Sequence, residues 1–206
     1  MARKSQILGI LLLLSSAVQS QELFPIPPEL QRDVDFWASI FTHYRTDQGV
    51  LHDNRNLAVV YERVDLPASM ERRTRQRNVA TRRERLQATL RTLASGKRDN
   101  LSEEEARILA LWPSDVSNAT LQAAVGQIRY QQGLKDRFRE GLERSGRWRD
   151  FINIEFTALG VPIELAALPH VESSYNPDAR SHVGASGGSL CRTGPRRGSS
   201  CRDRPF

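Results

Sequence analysis

Apolar residues recur every three or four positions along most of this chain, in short runs separated by stops, and that rhythm commits it to packed helices. Over residues 30–44 the repeating positions are Val34, Trp37, Ile40, Phe41 and Tyr44. They mark one buried face, with Trp37 and Phe41 as core residues. Val79, Leu86, Leu90 and Leu93 mark a second helix, which Ala94-Ser95-Gly96 closes with a glycine stop. Ser102-Glu103-Glu104-Glu105 reads as a capping box, a hydroxyl and an acid three residues apart, opening a helix that Pro113 ends. Asn118 is expected to cap a longer helix carrying Leu121, Val125, Ile128, Leu134, Phe138 and Leu142 as far as Ser145-Gly146. Trp148, Phe151, Ile152, Phe156 and Leu159 form the next stripe, closed by Gly160, and Val161-Pro162 restarts the chain as a last helix. One early stretch breaks the rhythm. Thr46-Asp47-Gln48-Gly49 is a turn former, and the short apolar run at residues 57–61 has strand or buried-helix character, which together predict a small hairpin. The fold class is therefore mainly α, with no internal repeat.

Charge needs to be located before it is interpreted. Of the net +6, Arg3 and Lys4 carry two charges and the residues from Gly188 onward a net four, so residues 21–187 are formally neutral. A nucleic-acid partner is not indicated. Arg3 and Lys4 precede an apolar stretch over residues 7–14 and small residues around Ala17 and Ser20, the layout of a secretory signal peptide over residues 1–20. The apolar stretch is far short of the roughly 20 residues that span a bilayer. Contact with the membrane is expected only through this segment, and the chain is expected in the periplasm or cell envelope. Phe24-Pro-Ile-Pro-Pro then makes a stiff extended lead.

One local basic patch remains. Arg72, Arg73, Arg75, Arg77, Arg82, Arg83 and Arg85 are opposed there by Glu71 and Glu84. On a helix whose apolar positions are leucines, such a patch is ordinarily the solvated face, and contact with phosphate or an anionic cell wall is the alternative. No aromatic residues interleave with the arginines, so stacking on single-stranded bases is not indicated.

The residues most suited to chemistry lie between Ile163 and Gly187. An apolar helical run ends on Glu172, after which Ser173, Ser174, Asn176 and Pro177 compete with or forbid further helix. A carboxyl at the carbonyl end of a helix, dried by Leu165, Leu168 and Val171, is favoured in the protonated form that a general acid needs. A solvated surface carboxylate is the plainer alternative.

Other constellations fail on context. His170 and Glu172 form a His-x-Glu, but the Pro-Cys-x-x-Cys of zinc deaminases is absent, and Cys191 and Cys201 lie elsewhere. Gly184-Ala-Ser-Gly-Gly fits the letters of a nucleophile elbow without the strand and helix it requires, and lacks the lysine of a phosphate loop.

Glu172-Ser173, then Asn176-Pro177, Ala179, Ser181, Gly184-Ala185 and Gly187, resembles the opening motif of the soluble and membrane-bound lytic transglycosylases of bacterial cell walls. The approach from Phe138 to Leu168 resembles the branch of that family with longer N-terminal helical regions. The resemblance implies a lysozyme-like all-α catalytic domain that cleaves between N-acetylmuramic acid and N-acetylglucosamine in peptidoglycan, leaving a 1,6-anhydro sugar. It implies Glu172 as the catalytic acid and base, Ser173 as an orienting residue, and Asn176, Pro177, Gly184, Ala185 and Gly187 as the loop beside the cleft. Peptidoglycan glycan strands are the implied partner, and no metal or organic cofactor is implied.

The match departs at Gly188, where the family places Leu, an aromatic or Met, and Gln. The expected organisation is a signal peptide at 1–20, a helical N-terminal region at 21–145, the start of a lysozyme-like domain at 146–187, and an aberrant tail at 188–206. Synonymous codons for residues 187–192 can be regrouped in another frame to read Trp-Gln-Phe-Val-Pro, so a frameshift and an impaired enzyme are the expectation. A noncatalytic exported wall-binding or scaffold protein, using the Arg72 to Arg85 patch, is the other function class.

Overall fold

The computed structural model describes residues 24–176. Among them lie α1 (Gln31–Thr42), β1 (Gln48–Asp53), β2 (Val60–Asp65), α2 (Arg72–Ala94), α3 (Glu103–Leu109), α4 (Asn118–Ala124), β3 (Ile128–Gln132), α5 (Lys135–Ser145), α6 (Arg149–Leu159) and α7 (Leu168–Glu172). Two 3-10 turns, Pro28–Leu30 and Ile163–Ala167, lead into α1 and α7. The chain is mainly α, with one small antiparallel sheet of order β2-β1-β3. The expected signal segment and tail lie outside the described residues, as do Pro177, Gly184, Ala185 and Gly187.

The sheet is covered on both faces, which is why all six residues of β1 are buried. Successive side chains of a strand point to opposite faces. Val50 accordingly joins Phe36 and Ile40 of α1 in one cluster. Leu51 joins the larger one, with Leu86, Leu90 and Leu93 of α2, Ile108 of α3 and Leu121 of α4. Each of those three α2 leucines is fully buried, worth roughly 1.5–3 kcal/mol against exposure. They hold down a helix that is otherwise rich in arginine.

A hairpin is present as β1 and β2, but its parts are displaced from the expectation: Gln48 and Gly49, read as turn residues, belong to β1, and residues 57–59, read as part of the apolar strand run, lie in the connection before β2. Its connection is built on Asp53, whose Oδ1 accepts the backbone N–H groups of Arg55 and Asn56, both at 2.8 Å. The capping box of α3 is also present: Ser102 Oγ accepts the Glu105 N–H, and Glu105 Oε2 accepts the Ser102 N–H at 2.7 Å.

Three expectations are corrected. The long helix expected from Asn118 is two helices with a strand between them. α4 ends at Ala124, and β3 pairs with β1, Tyr130 opposite Leu51. An open edge of β1 offers a ladder of backbone partners that a continuing helix would leave unmet, and Ile128 and Tyr130 suit that pleated surface. The cap of α4 is Ser117, whose Oγ accepts the Thr120 N–H at 3.0 Å, and not Asn118. In α1 the residues turned to the sheet are Phe36 and Ile40, 5% and 0% exposed, while Trp37 is 42% and Val34 38% exposed. Trp37 and Phe41 instead lie against each other at a tilt with ring centroids 6.4 Å apart, beside the core and not within it.

No helix among the described residues is long and apolar enough to cross a membrane.

Candidate functional site

Gly160 ends α6 at φ 65°, a left-handed conformation that costs glycine little. The 3-10 turn and α7 follow, and Glu172 is the last helical residue, as the sequence predicts. The chain then leaves the helix through Ser173 at φ −138°, Ser174 at φ 50° and Tyr175 at φ 55°. The two consecutive left-handed residues without glycine are sterically costly and persist where surrounding structure holds them.

That structure can be named. The backbone N–H groups of Ser173 and Tyr175 both donate to Pro169 O, at 3.0 and 3.3 Å. The hydroxyls of Ser173 and Ser174 turn back to Pro169 O and His170 O, the competition with helical bonding expected of short polar side chains. Asn176 N–H donates to Ser173 O at 2.9 Å. Tyr175 is buried, and its hydroxyl donates to Ala166 O at 2.6 Å. From α5, Arg144 Nε donates to Ser174 O at 2.9 Å. Gly141 lies one turn earlier on the same helix. A Cβ there would meet Ser174 Cβ at 3.0 Å and its backbone at 3.3 Å, so a side chain at this position would require the turn to give by a few tenths of an ångström.

An aromatic chain backs the turn. Phe41 of α1 meets Phe138 of α5 at 5.5 Å, Phe138 meets His170 at 5.5 Å, and His170 meets Tyr175 edge-on at 4.6 Å. Burial among these rings pushes the His170 imidazole below its ordinary pKa.

Glu172 faces the other way. It borders an apolar groove of about 240 Å³ between α6 and α7, lined by Trp148, Phe151, Ile152, Phe156, Leu165 and Tyr175 among others, and is the one charged residue in that lining. His170 is absent from the groove, so the His-x-Glu pair does not converge on one point. Glu172 is exposed, and Leu168 and Val171 are 53% and 72% exposed. Of the three residues expected to dry the carboxyl, Leu165 alone is half-buried, and Glu172 stays open to solvent. Leu168 borders the groove at its open edge, and Val171 lies outside the lining.

Of the sequence-derived site residues, Glu172, Ser173 and Asn176 fall within a single turn, with Ser173 Oγ engaged by Pro169 O. Residues that the sequence reading did not single out for this site, Gly141, Arg144 and Tyr175, hold that turn in place. The arrangement offers one exposed carboxyl at the lip of an apolar trough, able to exchange a proton with a ligand lying in it. Among the described residues no group of His, Cys, Asp and Glu side chains could hold a metal ion. Protein-family models, characterised proteins and solved structures all gave no match to the chain.

Proposed function

We propose that this chain carries the acid of a peptidoglycan lytic transglycosylase, with Glu172 as its catalytic residue. The observation that carries the reading is the placement of Glu172: last residue of its helix, single charge on an apolar groove, and followed by a turn held from α5. The order of residues from Glu172 to Gly187 supports it by resemblance. In this reading the Glu172 carboxyl gives its proton to the glycosidic oxygen as the bond from the muramoyl C1 breaks. The carboxylate then takes the proton of the muramoyl 6-hydroxyl as that oxygen attacks C1. No water is consumed, and the ring closes as a 1,6-anhydro sugar, so one carboxyl serves where most glycosidases use two.

Incubation with purified sacculi tests the reading. Soluble fragments, at the low yield of an impaired enzyme, are expected from the native chain and none from Glu172→Gln, with both proteins still sedimenting with the sacculi. A second reading, a noncatalytic wall-binding protein, draws on the arginines of α2 and is the outcome if the native chain sediments without releasing fragments.

A further inference from the structure

The arginines of α2 are not one patch. Arg82 and Arg85 share Glu62 of β2 as an ion-pair partner, and Arg85 also reaches Glu104 of α3 at 3.1 Å. Arg72, Arg75 and Arg83 form no ion pair among the described residues. These three line a groove of about 480 Å³ that opens onto the residues of β3, in which no acid takes part. Asp136 bonds to the groove residue Thr46, and its Oδ2 is already taken by the N–H and hydroxyl of that residue, both at 3.0 Å.

The groove has one face of a helix as its wall. Arg72, Arg75, Gln76, Val79 and Arg83 step along α2 by threes and fours, so cations stand at either end with an apolar residue between. Tyr130 of β3 closes the opposite side. Burial pushes its hydroxyl above the ordinary tyrosine pKa, against the opposing charge of Arg75. Arg75 itself is fixed, its Nε donating to Met70 O at 2.8 Å and its second amino group to Ala68 O at 2.5 Å. Arg83 is different: among the described residues its guanidinium makes no hydrogen bond or ion pair, and its Nε is buried. A guanidinium left without an acceptor keeps its terminal N–H groups for an oxyanion, the partner that guanidinium geometry suits best.

We propose that this groove is a binding site for a small ligand bearing a phosphate or carboxylate on a ring-sized apolar body. Arg83 is its anchor, Arg72 and Arg75 supply the field, and Val79 and Tyr130 receive the ring. The volume lies in the ordinary range for small-molecule sites. The site rests on α2 and the sheet and does not depend on the role of Glu172.

Isothermal titration of the full chain with phenyl phosphate, benzoate and benzyl alcohol tests it, with circular dichroism to verify the fold of each variant. Saturable binding of phenyl phosphate or benzoate is expected, and whichever binds tighter identifies the anion. Arg83→Gln should weaken it about tenfold or more, and Arg72→Gln measurably, while Arg91→Gln, an exposed arginine of the same helix outside the groove, should leave it unchanged. Should Arg83→Gln lose its fold, Arg72→Gln against Arg91→Gln carries the same comparison. Failure of both anions to bind, equal binding of benzyl alcohol, or equal loss in Arg91→Gln would overturn the proposal.

Discussion

Arg144 Nε donates to Ser174 O at 2.9 Å, so a helix that begins directly after the sheet fixes the turn that follows the candidate acid. The bond spans residues far apart in sequence and joins α5 to a segment with two left-handed residues. Arg144→Ala removes the donor. About 1–2 kcal/mol of local stability should go with it, which is roughly tenfold in local opening. Hydrogen exchange checks this: the Tyr175 amide should exchange about tenfold faster, while the amide of Leu90 in α2 should be unchanged.

The close approach of α5 makes a second prediction. Gly141→Val places branched carbons where Ser174 already stands, and either α5 or the turn must move. A loss of about 1–3 kcal/mol in denaturant unfolding is expected. Tyr175→Phe, which removes the hydroxyl bonded to Ala166 O, should cost about 1 kcal/mol by the same measurement.

Leu90 and Leu142 both stand in helical apolar stripes, yet the structure separates them. Leu90 is fully buried beneath α2, and Leu142 is 48% exposed. Leu90→Ala should cost about 2–5 kcal/mol, and Leu142→Ala no more than about 0.5 kcal/mol. Equal costs would mean that α5 turns a different face inward.

Burial also lowers the pKa of His52, held against Phe36 in the sheet and opposed by its bond to Asp53 O, as it lowers that of His170. The unfolded chain then binds more protons than the folded one between the folded values and about 6.5. Stability is full above the unfolded value and is lost as pH falls through the folded values. Asp136 and Glu105, whose pKa values are lowered by bonds from Thr46 and Lys97, add their own loss further into acid. Urea unfolding at a series of pH values should show the histidine step, and His170→Phe, which keeps the ring contacts, should shrink it.

Local chemistry was legible in the sequence wherever its cause was local. The capping box at Ser102, the glycine end of α6 and the stop after Glu172 each follow from residues within a turn of each other, and each is present. β3 was not legible, since Ile128 and Tyr130 fit a helical stripe as readily as a strand. What decides between them is the open edge of β1, far away in sequence. The exposure of Glu172 was illegible for a similar reason, because apolar neighbours dry a carboxyl only when something packs over them. The groove along α2 did leave a signal in the spacing of Arg72, Arg75, Val79 and Arg83. Arginines on a helix ordinarily face water, and the division by Glu62 requires the fold of β2 against α2 to be seen.

The measurement closest to the central claim is the chemistry of the glycan ends. Purified glycan strands are digested with the native chain, with Glu172→Gln and with Glu164→Gln, an exposed acid in the preceding 3-10 turn, and the ends are read by mass spectrometry. The account predicts 1,6-anhydro ends, at the low yield of an impaired enzyme, from the native chain and Glu164→Gln, and none from Glu172→Gln. Anhydro ends from Glu172→Gln at the native yield would contradict it.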